Sequence, residues 1–452
     1  MGVNYLEKQS IYRRILAIAV PITLQNLINV GVSVTDTLMI GGISEVQLSG
    51  IAQANQPYFI FTTLIFGLAA GSMVLTSQYW GKKNLPPIRA ILGLMIRIGV
   101  ICGILAGVLV LSKPFLVMSV FTNDAEVINY GAEYLKIVGY SYIFSAFTGI
   151  FLIGLRSIEN VKISMYIYGI SFGLNVFLNW VFIFGHLGLK PMEIKGAALA
   201  TLISRILEFV LTVIYIYFIE KQIRFRFKDL FRGTSRYWRT LTRYSVPVLF
   251  SELNWGLGIS VQAAIIGHLG VSVLAASSFI NVVQQLAGVA IMGVGAAASI
   301  LIGTLIGEGE EEKALDLSRL LMKISLIIAG VIALSVILFR PIAPNFIKAS
   351  GETAVLIKSM LFVSAYMLFF QSLNVVTLAG ILRGSGDTVF CASLDVATLW
   401  FIKLGLGLLS AVVFKIHPVW VYFILSSDEF LKAVITTPRV LRGKWIYHTT
   451  VH

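Results

Sequence analysis

From Ile15 onward the chain is predominantly apolar for about 25 residues, and comparable stretches recur to the C-terminal end. They have neither the one-sided 3.6-residue stripe of a soluble surface helix nor the alternation of a half-buried strand. A helix of about 20 such residues covers the ~30 Å hydrocarbon layer of a bilayer. About twelve spans are predicted, at approximately 15–40, 52–80, 90–112, 128–154, 163–185, 196–219, 243–267, 275–305, 321–340, 354–381, 388–413 and 418–436. A membrane β-barrel would alternate polar and apolar residues over about ten positions at a time, and that pattern is absent. The expected fold class is an all-α integral membrane protein.

Composition agrees, since 57% of the 452 residues are hydrophobic and 13% charged, where a soluble domain carries about 25% charged residues. The net charge of +13 is informative through its placement. Lys8, Arg13 and Arg14 precede span 1, "GKKNLPPIR" follows span 2, Arg156 and Lys162 follow span 4, and "RVLRGK" follows span 12. The intervening connections "GGISEVQLSG", "SVFTNDAEV" and "GHLGVSV" have no Lys or Arg. This asymmetry places both termini in the cytoplasm, with Lys190, Lys195, Arg340, Lys348 and Lys415 as exceptions. The basic, aromatic run 220–244 has the composition of a nucleic-acid patch, but a segment lying near anionic lipid explains it, and no nucleic-acid partner is expected. Cys102 and Cys391 lie in or beside spans and form no disulfide framework. The N-terminus has no signal-peptide pattern, so span 1 is expected to be retained.

Sliding the sequence along itself by 226 residues aligns Val20-Pro21 with Val246-Pro247, Ile40-Gly41 with Ile266-Gly267, Asn55 with Asn281 and Gly81 with Gly307. One further residue of shift aligns Leu155-Arg156 with Leu382-Arg383. Two six-helix lobes are expected, residues 1–220 and 241–452, joined by a basic cytoplasmic linker at 221–240. Six spans per lobe give both the same orientation, hence a pseudo-two-fold parallel repeat, one of the plans of secondary transporters.

Ionisable residues inside spans are costly and mark functional sites by default. Asp36 lies about five residues before Gly41, in the outer half of span 1. Asn175 and Asn179 share a helical face on span 5, and Thr201 lies near the outer start of span 6 at a matching depth. A carboxylate, two amide oxygens and a hydroxyl suit a small hard cation. The same groups can instead hydrogen-bond a protonated Asp36, or serve only as interhelical glue. The repeat places Gln262 at the position of Asp36, and Glu252 at that of Asn26. Glu252 falls close to the midplane of span 7, where Asn254, Trp255 and Gln262, with Gln284 and Gln285 on span 8, are candidates to line a wet cavity. Its carboxylate is suited to cationic substrates, helped by aromatic faces.

Arg205 with Glu208 and Glu133 with Lys136 are spaced to pair. Asp387 is expected as a helix N-cap; Asp395 and Lys403 receive no assignment. "GVGAAA" (293–298) lies inside an apolar helix and reads as small-residue packing rather than a nucleotide loop. Five scattered histidines offer no metal site, and no nucleophile elbow is present.

The stretches "DTLMIGG", "GLRSIEN", "NVFLNWVFIFG", "GAALAT", "SVPVLFSELNWGLG" and "GILRGSGDT" resemble, in order and spacing, the multidrug and toxic compound extrusion (MATE) family. The resemblance implies an efflux antiporter exporting cationic or amphiphilic small molecules against inward Na⁺ or H⁺, with no cofactor beyond the transported ion. Functional positions carried over by it are Asp36, Asn175, Asn179 and Thr201 in the first lobe and Glu252 in the second. Where Na⁺- and H⁺-coupled relatives have an acid on span 10, this chain has Ser372, which shifts the expected coupling role to Asp36. Pro21 is the expected hinge of span 1, because its ring leaves a backbone carbonyl without a helical partner. A monomer in a bacterial cytoplasmic membrane is expected. The competing readings are a flippase for a lipid-linked precursor, which should line its cavity with several Arg or Lys, and a membrane-embedded lipid enzyme, for which no catalytic constellation is present.

Overall fold

The computed structural model describes residues 5–41, 44–231, 235–347, 349 and 351–450. Among these the regular structure is helical, with no strand. Among the described residues ten helices are long and apolar enough to cross a bilayer, and Ala125–Val138 with Ser141–Arg156, bent by 59° where they meet, makes an eleventh if the pair is one span. The last predicted span is built differently, as two short helices, Pro418–Ile424 and Asp428–Leu441. Ser426 and Ser427 turn their hydroxyls back onto the carbonyls of Tyr422 and Phe423 at the break. Asp428 and Glu429 then open the second helix, where its dipole favours acids.

By compactness the chain forms two units. The first, here the N-unit, comprises Leu24–Thr76 and Asn84–Ser245; the second, the C-unit, comprises Met1–Thr23, Ser77–Lys83 and Val246–His452. The unit boundaries therefore fall inside the helices Tyr5–Gly41, Glu45–Gly81 and Ser235–Gly267, of which the first and third contain Pro21 and Pro247.

In the N-unit, two local devices set the geometry that matters below. The helix Lys162–Phe184 ends at Gly185, whose φ of +76° lies in the left-handed region that favours glycine. The helix Glu193–Ile214 then returns against it, with Gly196 so close to the Phe182 backbone that a Cβ has no room. Residues 220–231, expected within or beside a linker, are folded onto this unit. Ile223 and Phe225 are buried while Arg224 and Arg226 are exposed, and Glu220 accepts the backbone N–H groups of Ile223 and Arg224. Over 223–226 the basic residues are thus the outward positions of a packed segment.

In the C-unit, Gly293 meets Thr23 and the Ala19 carbonyl, and Gly295 meets Val375, so the "GVGAAA" run is a helix-packing surface. Three wide-turn π segments, Val375–Leu382, Thr398–Leu406 and Leu409–Val413, interrupt the helices around its ionic cluster. Such bulges frequently occur at functional sites.

Candidate functional site

The N-unit contains a partly open cavity of about 620 Å³, within the range of about 300–1,000 Å³ typical of small-molecule sites. Asp36, Asn175 and Thr201 line it, together with Tyr58, Phe59, Tyr134 and Phe172. Asp36 is half-buried on the first helix. The amide Nδ2 of Asn179 donates to Asp36 Oδ1 at 2.6 Å and to Asn175 Oδ1 at 3.3 Å. The four-residue spacing that puts both asparagines on one face therefore ends in a relay to the carboxylate. Asn179 is fully buried, and its own Oδ1 has no hydrogen-bond partner. Thr201 stands beside Tyr134 on the same wall and makes no hydrogen bond to Asp36.

Three more charged side chains reach this cavity. Arg205 Nη1 donates to both carboxylate oxygens of Glu208 at 2.9 Å, and Ser171 donates to Glu208 at 2.7 Å. Its guanidinium also lies over the Tyr58 ring, 5.8 Å from the centroid. Arg156 donates to Gln25 Oε1 at 2.6 Å. The expected Glu133–Lys136 pair is replaced: Glu133 meets Lys195 at 3.2 Å, across helices, and Lys136 lies over the Phe115 ring.

The C-unit holds an ion-pair network instead. Arg383 meets Glu252 at 2.8 Å and Asp395 at 3.9 Å. Lys432 meets Asp395 at 3.3 Å, Asp428 at 3.4 Å and Glu429 at 3.8 Å. Lys403 reaches Asp428 at 3.9 Å, Ser251 donates to Asp395 at 2.7 Å, and Asn374 donates to the Glu429 carboxylate at 2.8 Å. Four acids thus face three bases in largely buried surroundings. Asp395 and Lys403, which the sequence left unassigned, are members. The sequence reading missed Asp428, Glu429 and Lys432; their i, i+3 and i+4 spacing on one helix was the available signal.

The remaining second-lobe candidates disperse. Asn254 accepts from the Trp400 indole at 2.9 Å. Gln284 donates to Ser364 and Tyr422 at 3.0 Å each, within a separate buried cluster. Trp255 is 48% exposed, Gln285 is exposed and Gln262 is half-buried. Ser372 is buried with its hydroxyl returned to the Leu368 carbonyl, while Asn374, two residues on, is the group that touches Glu429. Asp387 precedes a helix but does not cap it; its carboxylate accepts from Arg439 at 2.7 Å. Pro21 is buried inside the continuous helix Tyr5–Gly41.

Apolar spans, an internal repeat and a cavity among helices lined by aromatic, polar and charged side chains are the features of a membrane transporter. A family model described as MatE matches the chain twice, at residues 21–181 and 247–409, with starts 226 residues apart as in the internal repeat. The chain belongs to the MatE family. It is 23% identical over 447 residues to a probable multidrug resistance protein NorM of Thermotoga maritima, covering 98% of this chain and 95% of the relative. It is 22% identical to the probable multidrug resistance protein YoeA of Bacillus subtilis, covering 92% and 90%. Its fold is that of a MATE crystal structure in the bent conformation (TM-score 0.86, 17% identity, 96% of each chain). An outward-facing multidrug resistance MATE family transporter is similarly alike (TM-score 0.85, 17% identity, 95% and 96%). The two-lobe, twelve-helix class expected from the sequence is therefore the fold observed.

Proposed function

We propose that this chain is a secondary active antiporter that exports cationic and amphiphilic compounds in exchange for inward Na⁺ or H⁺, with Asp36 as the coupling carboxylate. The observation that carries this reading is the Asp36–Asn179 bond with Asn179 Oδ1 left as a buried, unused acceptor. An ionised Asp36 takes the amide N–H. Once a proton or Na⁺ neutralises it, the amide can turn and offer its oxygen, to the carboxyl proton or as a hard ligand to the ion. Asn175 and Thr201 supply further oxygens on the same wall. Neutralisation thus exchanges one hydrogen-bonded arrangement for another, which a transport cycle requires. The pairing of Glu252 with Arg383 favours a holding role for Glu252 over direct charge recognition of substrate. On the distribution of Lys and Arg, we place both termini on the cytoplasmic side of a bacterial membrane, and we read the working unit as a monomer.

The test is uptake of a fluorescent cation into proteoliposomes under imposed Na⁺ or pH gradients. Native protein should follow one gradient, and Asp36→Asn should lose that dependence while remaining folded. Undiminished gradient-driven uptake in the variant would remove Asp36 from the coupling role.

A further inference from the structure

The repeat places the same arginine in both halves of the chain, Arg156 and Arg383. Their surroundings differ in one respect. Arg383 is answered by Glu252 and Asp395. The repeat counterpart of Glu252 is Asn26, and the 227-residue register of the two arginines sets Tyr168 against Asp395. Tyr168 and Asp395 lie at the matching place, on the helices that follow the arginines. Both acids are therefore replaced by neutral side chains in the N-unit, while the arginine is kept.

The consequence is visible at Arg156. Its Nη2 donates to Gln25, its Nε is buried without an acceptor, and among the described residues no carboxylate pairs with it. Tyr168 is its ionisable neighbour. Arg156, Asn26 and Tyr168 all line the 620 Å³ cavity. Arg205 and Glu208 on that wall neutralise each other, which leaves two uncompensated charges, Asp36 and Arg156. Gln25, which holds Arg156, and Asp36 are eleven residues apart on one helix, so about 16 Å of helix axis separates the two levels. The cavity is bipolar. A guanidinium whose Nε is buried without an acceptor and which has no counter-charge is unfavourable, and its planar fork matches a carboxylate.

We propose that Arg156 seats an anionic group, so that the cavity takes amphiphiles bearing a carboxylate beside their aromatic or cationic part in preference to the same compounds without it. This rests on the cavity being the transport site and specifies its substrate class. Asn26 and Tyr168 are the specificity-determining neutral positions. They leave the charge of Arg156 available, where Glu252 and Asp395 consume that of Arg383.

The experiment is equilibrium binding to the full-length protein in nanodiscs, without any gradient. The probes are a rhodamine with a free benzoate carboxylate and the same rhodamine as its methyl ester, read by fluorescence polarisation. A charge-assisted hydrogen bond gives the carboxylate form roughly tenfold tighter binding. Arg156→Gln should bring the affinity ratio of the two dyes to about one, and Arg156→Lys should restore part of the preference. Asn26→Glu, which supplies the acid that the C-unit has, should also bring the ratio to about one while keeping the arginine in place, so a folding defect of the glutamine variant does not decide the matter. A native ratio of one, or a preference that survives both charge-cancelling variants, overturns the proposal. Coupling is tested apart from it: gradient-driven uptake of the ester depends on Asp36 whether or not the carboxylate seat exists.

Discussion

Asp36 and Asn179 meet at 2.6 Å, and the side on which that amide presents its oxygen is where a charge state becomes a geometry. Asn179→Leu removes both orientations. It should lower gradient-driven uptake by about tenfold, the scale of one charge-assisted hydrogen bond, with the variant's folding checked by thermal unfolding in detergent. In the C-unit, Lys432 touches three carboxylates. Lys432→Met should destabilise by about 3–5 kcal/mol, because breaking a buried pair strands the opposite charge, and should appear as a lower Tm in detergent. Glu252→Gln should cost less, since Arg383 keeps Asp395. At this scale the sequence showed Asp36 and the two asparagines through helical spacing. It did not show that Ser372 turns its hydroxyl into its own helix, because that depends on a rotamer choice among packed neighbours.

Among the elements, the first helix is the one whose chemistry changes along its length. Pro21 denies the Ala17 carbonyl its hydrogen bond, while Asp36 lies four turns further on. Pro21→Ala should restore that bond and stiffen the helix, slowing transport while leaving equilibrium binding of the fluorescent cation within about twofold; equal binding and equal turnover would remove the hinge role. The pair formed by Lys162–Phe184 and Glu193–Ile214 depends on Gly196. Gly196→Val must push the Phe182 backbone away, at a cost of about 1–3 kcal/mol, and should lower Tm. The helices themselves were legible from apolar run length. The bend between Ala125–Val138 and Ser141–Arg156 and the split at the last span were not, since at both a serine hydroxyl turns back onto a carbonyl of the preceding helix, a bond that apolar run length does not show.

For the whole molecule, the internal repeat supplies one scaffold twice, and the two copies have been given different electrostatics. The C-unit closes its charges on one another, whereas the N-unit leaves Asp36 and Arg156 open to a cavity. The proposed coupling therefore rests on one candidate carboxylate rather than two. Collapsing the imposed gradient with an ionophore should reduce native uptake to the level of Asp36→Asn and leave that variant unchanged. A large residual difference between the two under collapsed gradients would assign Asp36 to substrate binding instead.

The amino-acid sequence alone determined the membrane class, the repeat and the family resemblance. Apolar run length, basic-residue placement and fixed-register matches are properties of the chain that no packing can alter. It also predicted a matching depth for Asp36, Asn179 and Thr201, with Asn175 one turn deeper. Only the tertiary structure decided which charges answer which. Glu252, Asp395 and Lys432 lie on different helices, and ion pairs between helices form where packing brings side chains within about 4 Å, a distance that sequence separation does not encode.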